Sequence, residues 1–212
     1  MTRSSAPCCP YPRDLARPTC YGCFRPIAYC VCNLVAPFDA HCNILILQHP
    51  HERKMYHSTA RIVLRAITNS RLLSGIQFTK EALDKITQDQ KTYLLYPSQQ
   101  AADCETLKLD TSSTTIVLDG TWVEARKILH RNPFLKSLPA LSFRQELRSN
   151  YRIRQQPMPH CLSTLESIAH LLKLNAAAQG HSDKIPLYNS LLTGFEEMVE
   201  RQIQHWPRML PG

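Results

Sequence analysis

The sequence has no apolar run near the roughly 20 residues that a bilayer-crossing helix needs, which excludes a helical membrane protein. Its first fifteen residues, MTRSSAPCCPYPRDL, lack the apolar centre of a secretory signal, so a soluble, cytoplasmic protein is expected. No internal repeat or low-complexity linker interrupts the chain, which excludes fibrous arrays. Hydrophobic residues at 43% and charged residues at 20% exclude disorder. The 212 residues suffice for one full domain with a buried core. An even cysteine count is missing too: nine thiols, kept reduced in a cytoplasm, make no disulfide framework.

Acidic residues are scarce in one stretch. The net charge of +8 comes from 25 basic and 17 acidic residues, unevenly placed. Residues 126–154 hold eight basic groups against Glu146 alone, a local +7, and residues 1–75 carry nine against three. Residues 76–125 come to −4 and residues 155–212 to −1. So dense a positive stretch suits a phosphate-rich partner; the alternative is a solvated, solubilising face. Nucleic acid is the favoured partner.

Cysteine is plentiful near the N-terminus, where Cys20-Tyr-Gly-Cys23 and Cys30-Val-Cys32 place four thiols within thirteen residues. A C-x2-C pair and a C-x-C pair six residues apart can converge four thiolates on one ion. Tetrahedral thiolate coordination favours a structural Zn2+. Gly22 eases the first loop, and Arg17 and Arg25 can offset the charge of a zinc tetrathiolate. The alternatives are four unrelated thiols or two disulfides. A catalytic zinc is disfavoured, because four protein ligands leave no open position. Cys42 and Cys104 read as packed thiols, Cys161 lacks a partner at such spacing, and Cys8 and Cys9 fall in a segment that reads as disordered.

Beyond residue 40, strand and helix patterns alternate. HCNILILQ (41–48), TYLLYP (92–97), TTIVLDG (114–120) and ALSFR (140–144) read as strands. Residues 58–70 read as a helix capped by Ser58 or Thr59, with Arg61 and Arg65 one turn apart on its polar side. Thr121–His130 form the helix after the third strand. Residues 161–174 form another, capped by Ser163 or Thr164, with Glu166 completing a capping box on Ser163. A last helix covers 187–203. Such alternation implies a mostly parallel sheet with helices on both faces, whose ligands bind beyond the carboxyl ends of the strands.

Three segments lie at those ends: Tyr96-Pro97-Ser98, Asp119-Gly120-Thr121-Trp122, and the start of the 163–174 helix. An acid directly after a buried strand can reach a ligand, Gly120 admits close backbone approach, and Trp122 offers a stacking plane. The plainer alternative makes Asp119 or Thr121 an N-cap and Trp122 a core aromatic.

LDGTW at 118–122 resembles the motif that names the DTW-domain proteins, the tRNA-uridine aminocarboxypropyltransferases. CYGCFRPIAYCVC (20–32), HPHE (49–52), LLYP (94–97), YRIRQQP (151–157) and LSTLESIA (162–169) fit the same resemblance, in the family's order and over about residues 14–200. One departure is Ser167, where the family has Ala. The resemblance implies a knotted, methyltransferase-like (SPOUT-like) α/β domain at 41–212 behind a zinc knuckle at 14–40, with 1–13 a disordered N-terminus. It also implies transfer of the 3-amino-3-carboxypropyl group of S-adenosylmethionine to N3 of a tRNA uridine (acp3U, in the variable loop), releasing methylthioadenosine. The expected partner is tRNA, and a monomer is favoured.

Uridine N3 carries a proton, so the reaction needs a positioned base, and Asp119 is the expected one. A partly desolvated site would strengthen it as a base, and a nearby Arg would oppose that. Leu94, Tyr96, Pro97, Leu118, Gly120, Thr121, Trp122, Ser163, Thr164 and Glu166 are the expected cofactor contacts. The 163–166 helix start would take the methionyl carboxylate. Glu166 would either meet the methionyl ammonium or serve only its capping box. Arg61, Arg65, Arg126, Lys127, Arg131, Arg148, Arg152 and Arg154 are the expected RNA contacts, Tyr-Arg-Ile-Arg reading as an extended segment with both guanidinium groups on one side. The alternative for these arginines is surface charge or pairing to acids. His49, His51 and Glu52 lie after the first strand, near ligand or RNA; with His57 they do not match a usual metal-ligand spacing. The remaining readings are an S-adenosylmethionine-dependent RNA methyltransferase, a related aminocarboxypropyltransferase acting on ribosomal RNA, and a non-catalytic zinc-knuckle RNA-binding protein.

Overall fold

Apolar residues at consecutive positions mark strands covered on both sides. NILILQ and STTIVLD, nearly unbroken runs of buried residues, form β1 (Asn43–Gln48) and β5 (Ser113–Asp119) at the middle of the sheet. The computed structural model describes residues 18–27, 30–53, 55, 58–88, 90–144, 147–153 and 161–205. Its other strands are β2 (Ser70–Ser74), β3 (Lys91–Leu95), β4 (Ala102–Asp103) and β6 (Ala140–Ser142). Its helices are α1 (Pro50–Arg53), α2 (Ala60–Ala66), α3 (Lys80–Thr87), α4 (Trp122–Arg131), α5 (Thr164–Gln179) and α6 (Ile185–His205).

All pairings between these strands are parallel, in the order β2-β1-β5-β3-β6-β4. The mostly parallel α/β expectation therefore stands. Alternation along β1 divides the interior: Ile44 and Ile46 enter a core with α2, α5 and α6, while Leu45 and Leu47 enter a second with α3 and α4. Helices thus cover both faces. The cysteine turn joins the first core through Cys20, Cys23, Val31 and Val35.

Several boundaries differ from the sequence reading. The helix read at 58–70 stops at Ala66, because Ile67 turns extended and Asn69 is drawn to the chain before β1. The Asn69 side chain accepts from the Ala40 amide and donates to the carbonyls of Ala40 and Cys42. Ser70 then opens a strand with no clear local signal, pairing along β1. The sequence reading also omitted α1, α3 and β4. The strand read at 92–97 ends at Leu95, and the one at 140–144 ends at Ser142. Helix α5 runs past residue 174 to Gln179, where Gly180 at φ 79° closes it. Cys42 and Cys104 are packed in the core as expected, and burial pushes each thiol up to about 12.

Candidate active site

Three chain segments meet at the carboxyl end of the central strands. Gln48 and Asp119 face each other in register as the last residues of β1 and β5. Gln48 Nε2 donates to Asp119 Oδ2 at 2.7 Å, and the Thr164 hydroxyl donates to Asp119 Oδ1. Asp119 is only 3% exposed, so these donors hold its carboxylate in one orientation. The same Gln48 amide reaches Ser58 Oγ at 3.3 Å, tying in the start of α2.

The DGTW segment follows directly. Thr121 is the N-cap of α4 in a reciprocal capping box with Glu124. Glu124 Oε1 also lies 3.1 Å from both His49 Nδ1 and His51 Nδ1. Burial acts to raise the Glu124 carboxyl, but hydrogen bonds from Thr121 and His51, together with the electrostatic attraction of His49, outweigh it and hold it below its usual range. His49 Nε2 is buried without a hydrogen-bond partner among the described residues. At Gly120 an added Cβ would come within 3.0 Å of Glu124 Cβ and 3.4 Å of His49 Cβ, so any side chain would crowd the turn.

Trp122 is 40% exposed and is no core residue. Its ring stands edge-on to Tyr96, with centroids 6.1 Å apart, and its Nε1 donates to Cys161 Sγ at 3.1 Å. The end of β3, the turn after β5 and the approach to α5 are therefore in contact through Tyr96, Trp122 and Cys161. An exposed indole plane held on two sides suits a flat heteroaromatic ligand. The N-terminus of α5, at Thr164 beside Asp119, carries amides of the kind that take a carboxylate.

Other expected contact residues are placed differently. Leu94 is fully inside the second core and Leu118 packs against that core, whereas Pro97 is exposed. Glu166 is buried and fully committed within the protein. Its Oε2 accepts from the Ser163 amide at 2.7 Å and the Ser149 hydroxyl at 2.8 Å, and its Oε1 from the Asn150 amide at 2.7 Å. It thus completes the capping box on Ser163 and anchors the 147–151 loop to α5.

The four knuckle cysteines form a second constellation. Cys20 Sγ lies 3.6 Å from Cys32 Sγ and 3.4 Å from Cys30 Sγ, and Cys23 Sγ lies 3.9 Å from Cys30 Sγ. A tetrahedron with metal–sulfur bonds of about 2.3 Å has edges of about 3.8 Å, so the spacing fits one tetrathiolate ion. Burial and then the neighbouring thiols push the Cys32 thiol strongly upward, the electrostatic crowding that a bound dication relieves. No disulfide forms among the described cysteines.

Comparison with protein families matches the DTW domain over residues 17–203. The chain belongs to the DTW-domain family. Among curated relatives, tRNA-uridine aminocarboxypropyltransferase 2 of Mus musculus is 30% identical over 202 residues, covering 89% of this chain and 65% of the relative. The protein of that name from Drosophila melanogaster is 33% identical, covering 74% of this chain and 66% of the relative. For the Macaca fascicularis protein the values are 31%, 74% and 56%. The chain thus spans between 56% and 66% of the length of these relatives, less than two thirds of each. No solved structure matches.

In this DTW domain the basic residues divide into two groups. Arg126, Lys127, Arg131 and Arg148 are exposed, with no acid at ion-pairing distance among the described residues. The others are engaged. Arg61 sits 4.1 Å from the centroid of the Phe24 ring and donates to the Arg53 carbonyl; burial lowers its pKa. Arg65 lines a small cavity with Cys23 and Cys32. Arg152 pairs with Glu200, and Arg152 and Ile153 form a turn rather than the extended segment expected. Arg154, Arg17, His57, Cys8 and Cys9 lie outside the described residues. Sequence reasoning missed Gln48, the polar last residue of an apolar strand. It also missed Glu124, although its spacing of three from Thr121 is a capping-box signal.

Proposed function

We propose that this DTW domain is an aminocarboxypropyltransferase that modifies N3 of a uridine in tRNA to acp3U, in the variable loop, and that it works in the cytoplasm. In this reading S-adenosylmethionine supplies the 3-amino-3-carboxypropyl group and methylthioadenosine leaves. The observation that carries it is the meeting of Tyr96, Trp122, Asp119 and Thr164 at the strand ends, within a domain whose relatives bear that name.

Each residue has a role set by its chemistry. Asp119 takes the N3 proton, and the donors Gln48 and Thr164 fix its aim. Trp122 and Tyr96 hold a flat heterocycle, and Gly120 and Thr121 border it. The Thr164 amide at the start of α5 takes a carboxylate, whereas the Ser163 amide is held by Glu166 and Ser163 acts as the cap that shapes this helix end. Glu166 acts by holding Ser163 and the 147–151 loop in place. Leu94, Leu118 and Pro97 shape the wall behind. Because three electrophilic carbons compete on the donor sulfonium, positioning sets the outcome, and positioning alone supplies several kcal/mol.

Cys20, Cys23, Cys30 and Cys32 hold a structural Zn2+, a reading supported by their mutual spacing. Arg126, Lys127, Arg131 and Arg148, unpaired with acids among the described residues, supply contacts to the RNA backbone, and Arg61, Arg65, Arg152 and Arg154 supply further ones elsewhere on the surface. A knotted SPOUT-like trace completes the reading. It is supported by the resemblance to the DTW family alone.

The test is nucleoside mass spectrometry on tRNA, and separately on ribosomal RNA, incubated with the purified chain and S-adenosylmethionine. Addition of the aminocarboxypropyl mass with release of methylthioadenosine is expected. A methyl mass would mean a methyltransferase, modification of ribosomal RNA alone would mean the ribosomal relative, and RNA binding without cofactor affinity would leave only a binding protein.

A further inference from the structure

Large apolar side chains are exposed in two places among the described residues. Trp122 and Val123 border the strand-end site; Tyr21, Phe24 and Leu64 belong to the cysteine turn and to α2, which lines a cavity with it. Tyr21 and Phe24 are 51% and 52% exposed, although the buried cysteines beside them offer a core to enter.

Phe24 is unusual in its backbone as well. It stands at φ 57°, a left-handed conformation that bulky residues avoid, inside a turn closed by bonds from Phe24 N to Cys20 O and from Cys20 N to Arg25 O, each 2.7 Å. Glycine would take that conformation without strain. An aromatic held there, filling no core, is strain retained for its side chain.

Cations frame these rings. The Arg61 guanidinium lies 4.1 Å from the Phe24 centroid, and Arg65 Nε lies 3.5 Å from where a Cβ at Gly22 would be. Arg61 and Arg65 stand one helical turn apart on α2 with exposed Leu64 beside them. Residues 1–75 carry a net +6. Exposed aromatic planes among arginines are how proteins hold unpaired nucleotides, the ring taking a base and the guanidinium a phosphate.

We propose that Tyr21 and Phe24 form a base-stacking platform for unpaired nucleotides of the RNA substrate, with Arg61 backing the Phe24 ring and Arg65 beside it for an adjoining phosphate. The platform rests on the reading of this chain as acting on tRNA. It gives the cysteine turn a task beyond scaffolding: its backbone presents two rings outward. Recognition there reads unpaired segments of the RNA, and the strand-end site reads the uridine.

The full-length chain, purified with its metal, is titrated by fluorescence anisotropy with tRNA and with a single-stranded uridine-rich oligonucleotide at several salt concentrations. Tyr21→Ser combined with Phe24→Gly, the latter chosen to suit the positive φ, is expected to weaken both affinities at least about fivefold per ring. The log–log salt slope stays unchanged, since no phosphate contact is removed, whereas Arg65→Ala lowers that slope by about one. Tyr21→Leu with Phe24→Leu keeps apolar bulk without a π-face and is expected to lose the same affinity with metal content and S-adenosylmethionine binding intact. Wild-type affinity in either double variant, or a salt slope falling with affinity in the aromatic variants, overturns the platform alone. A wild type that binds neither RNA overturns the tRNA reading of the function as well.

Discussion

Asp119 shows how much one side chain is asked to do. It ends β5, accepts from Gln48 on the neighbouring strand and from Thr164 on α5, and carries the proposed proton transfer. Asp119→Asn keeps the volume but sets an amide against two donors, one of which loses its acceptor. Differential scanning calorimetry should find the variant less stable by about 1–3 kcal/mol. Nucleoside mass spectrometry should find no transfer; full transfer by the variant would remove Asp119 as the base. The Asp-Gly-Thr-Trp string was readable as a site because an acid after an apolar strand is poorly explained by packing. Gln48 was not, since its role exists only through strand register. Trp122 had two readings in the sequence, and its exposure beside Tyr96 decides against a core role.

At the scale of elements, two capping boxes do different work. That of α4 gathers Thr121, Glu124, His49 and His51 around the motif, whereas that of α5 fastens a loop. Glu166 is the acceptor for Ser163, Ser149 and Asn150 at once. Glu166→Ala therefore strands three donors, and a loss of about 3 kcal/mol or more is expected by denaturant titration. Limited proteolysis should then open the 147–151 segment first. If the variant were as stable as wild type, the loop would not depend on that tether. A second network ties the start of β1 to the last helices. His41 bonds to Tyr188 at 2.7 Å and to Asn175 at 3.0 Å, and burial lowers its pKa; burial also lowers that of His170. Both rings fold in their neutral form while an unfolded histidine titrates near 6.5, so the unfolded chain binds more protons below that point. Stability from these two residues is fully present above about pH 6.5 and falls as pH drops through it. Thermal melts from pH 7.5 to 5.0 should show this decline, and His170→Gln, at the less constrained of the two positions, should flatten it. A slope unchanged in that variant would place the titration elsewhere.

Across the whole molecule, the cysteine turn and the sheet stand or fall together. Cys20, Cys23, Val31 and Val35 share a core with α2, α5 and α6, so the metal site is not an independent appendage. Chelation, or Cys20→Ser, should lower the melting temperature of the entire chain in one transition; an unshifted main transition would mean that the turn is energetically separate. Cysteine spacing, apolar runs and the Ser163–Glu166 cap are local patterns, written in residues a few positions apart. They determined a four-thiol centre, a mostly parallel α/β sheet and a candidate site at its carboxyl edge. SRLLS carries no such local pattern and became β2 only because β1 offered it an edge to pair with. Arg61 and Arg152, identical in type to the exposed arginines of α4, were drawn to Phe24 and to Glu200 by neighbours distant in the chain. Residue kinds and their short-range spacing are thus properties of the sequence alone. Which carboxylate meets which donor, and which cation remains uncompensated, depends on long-range packing that only the folded chain brings into being.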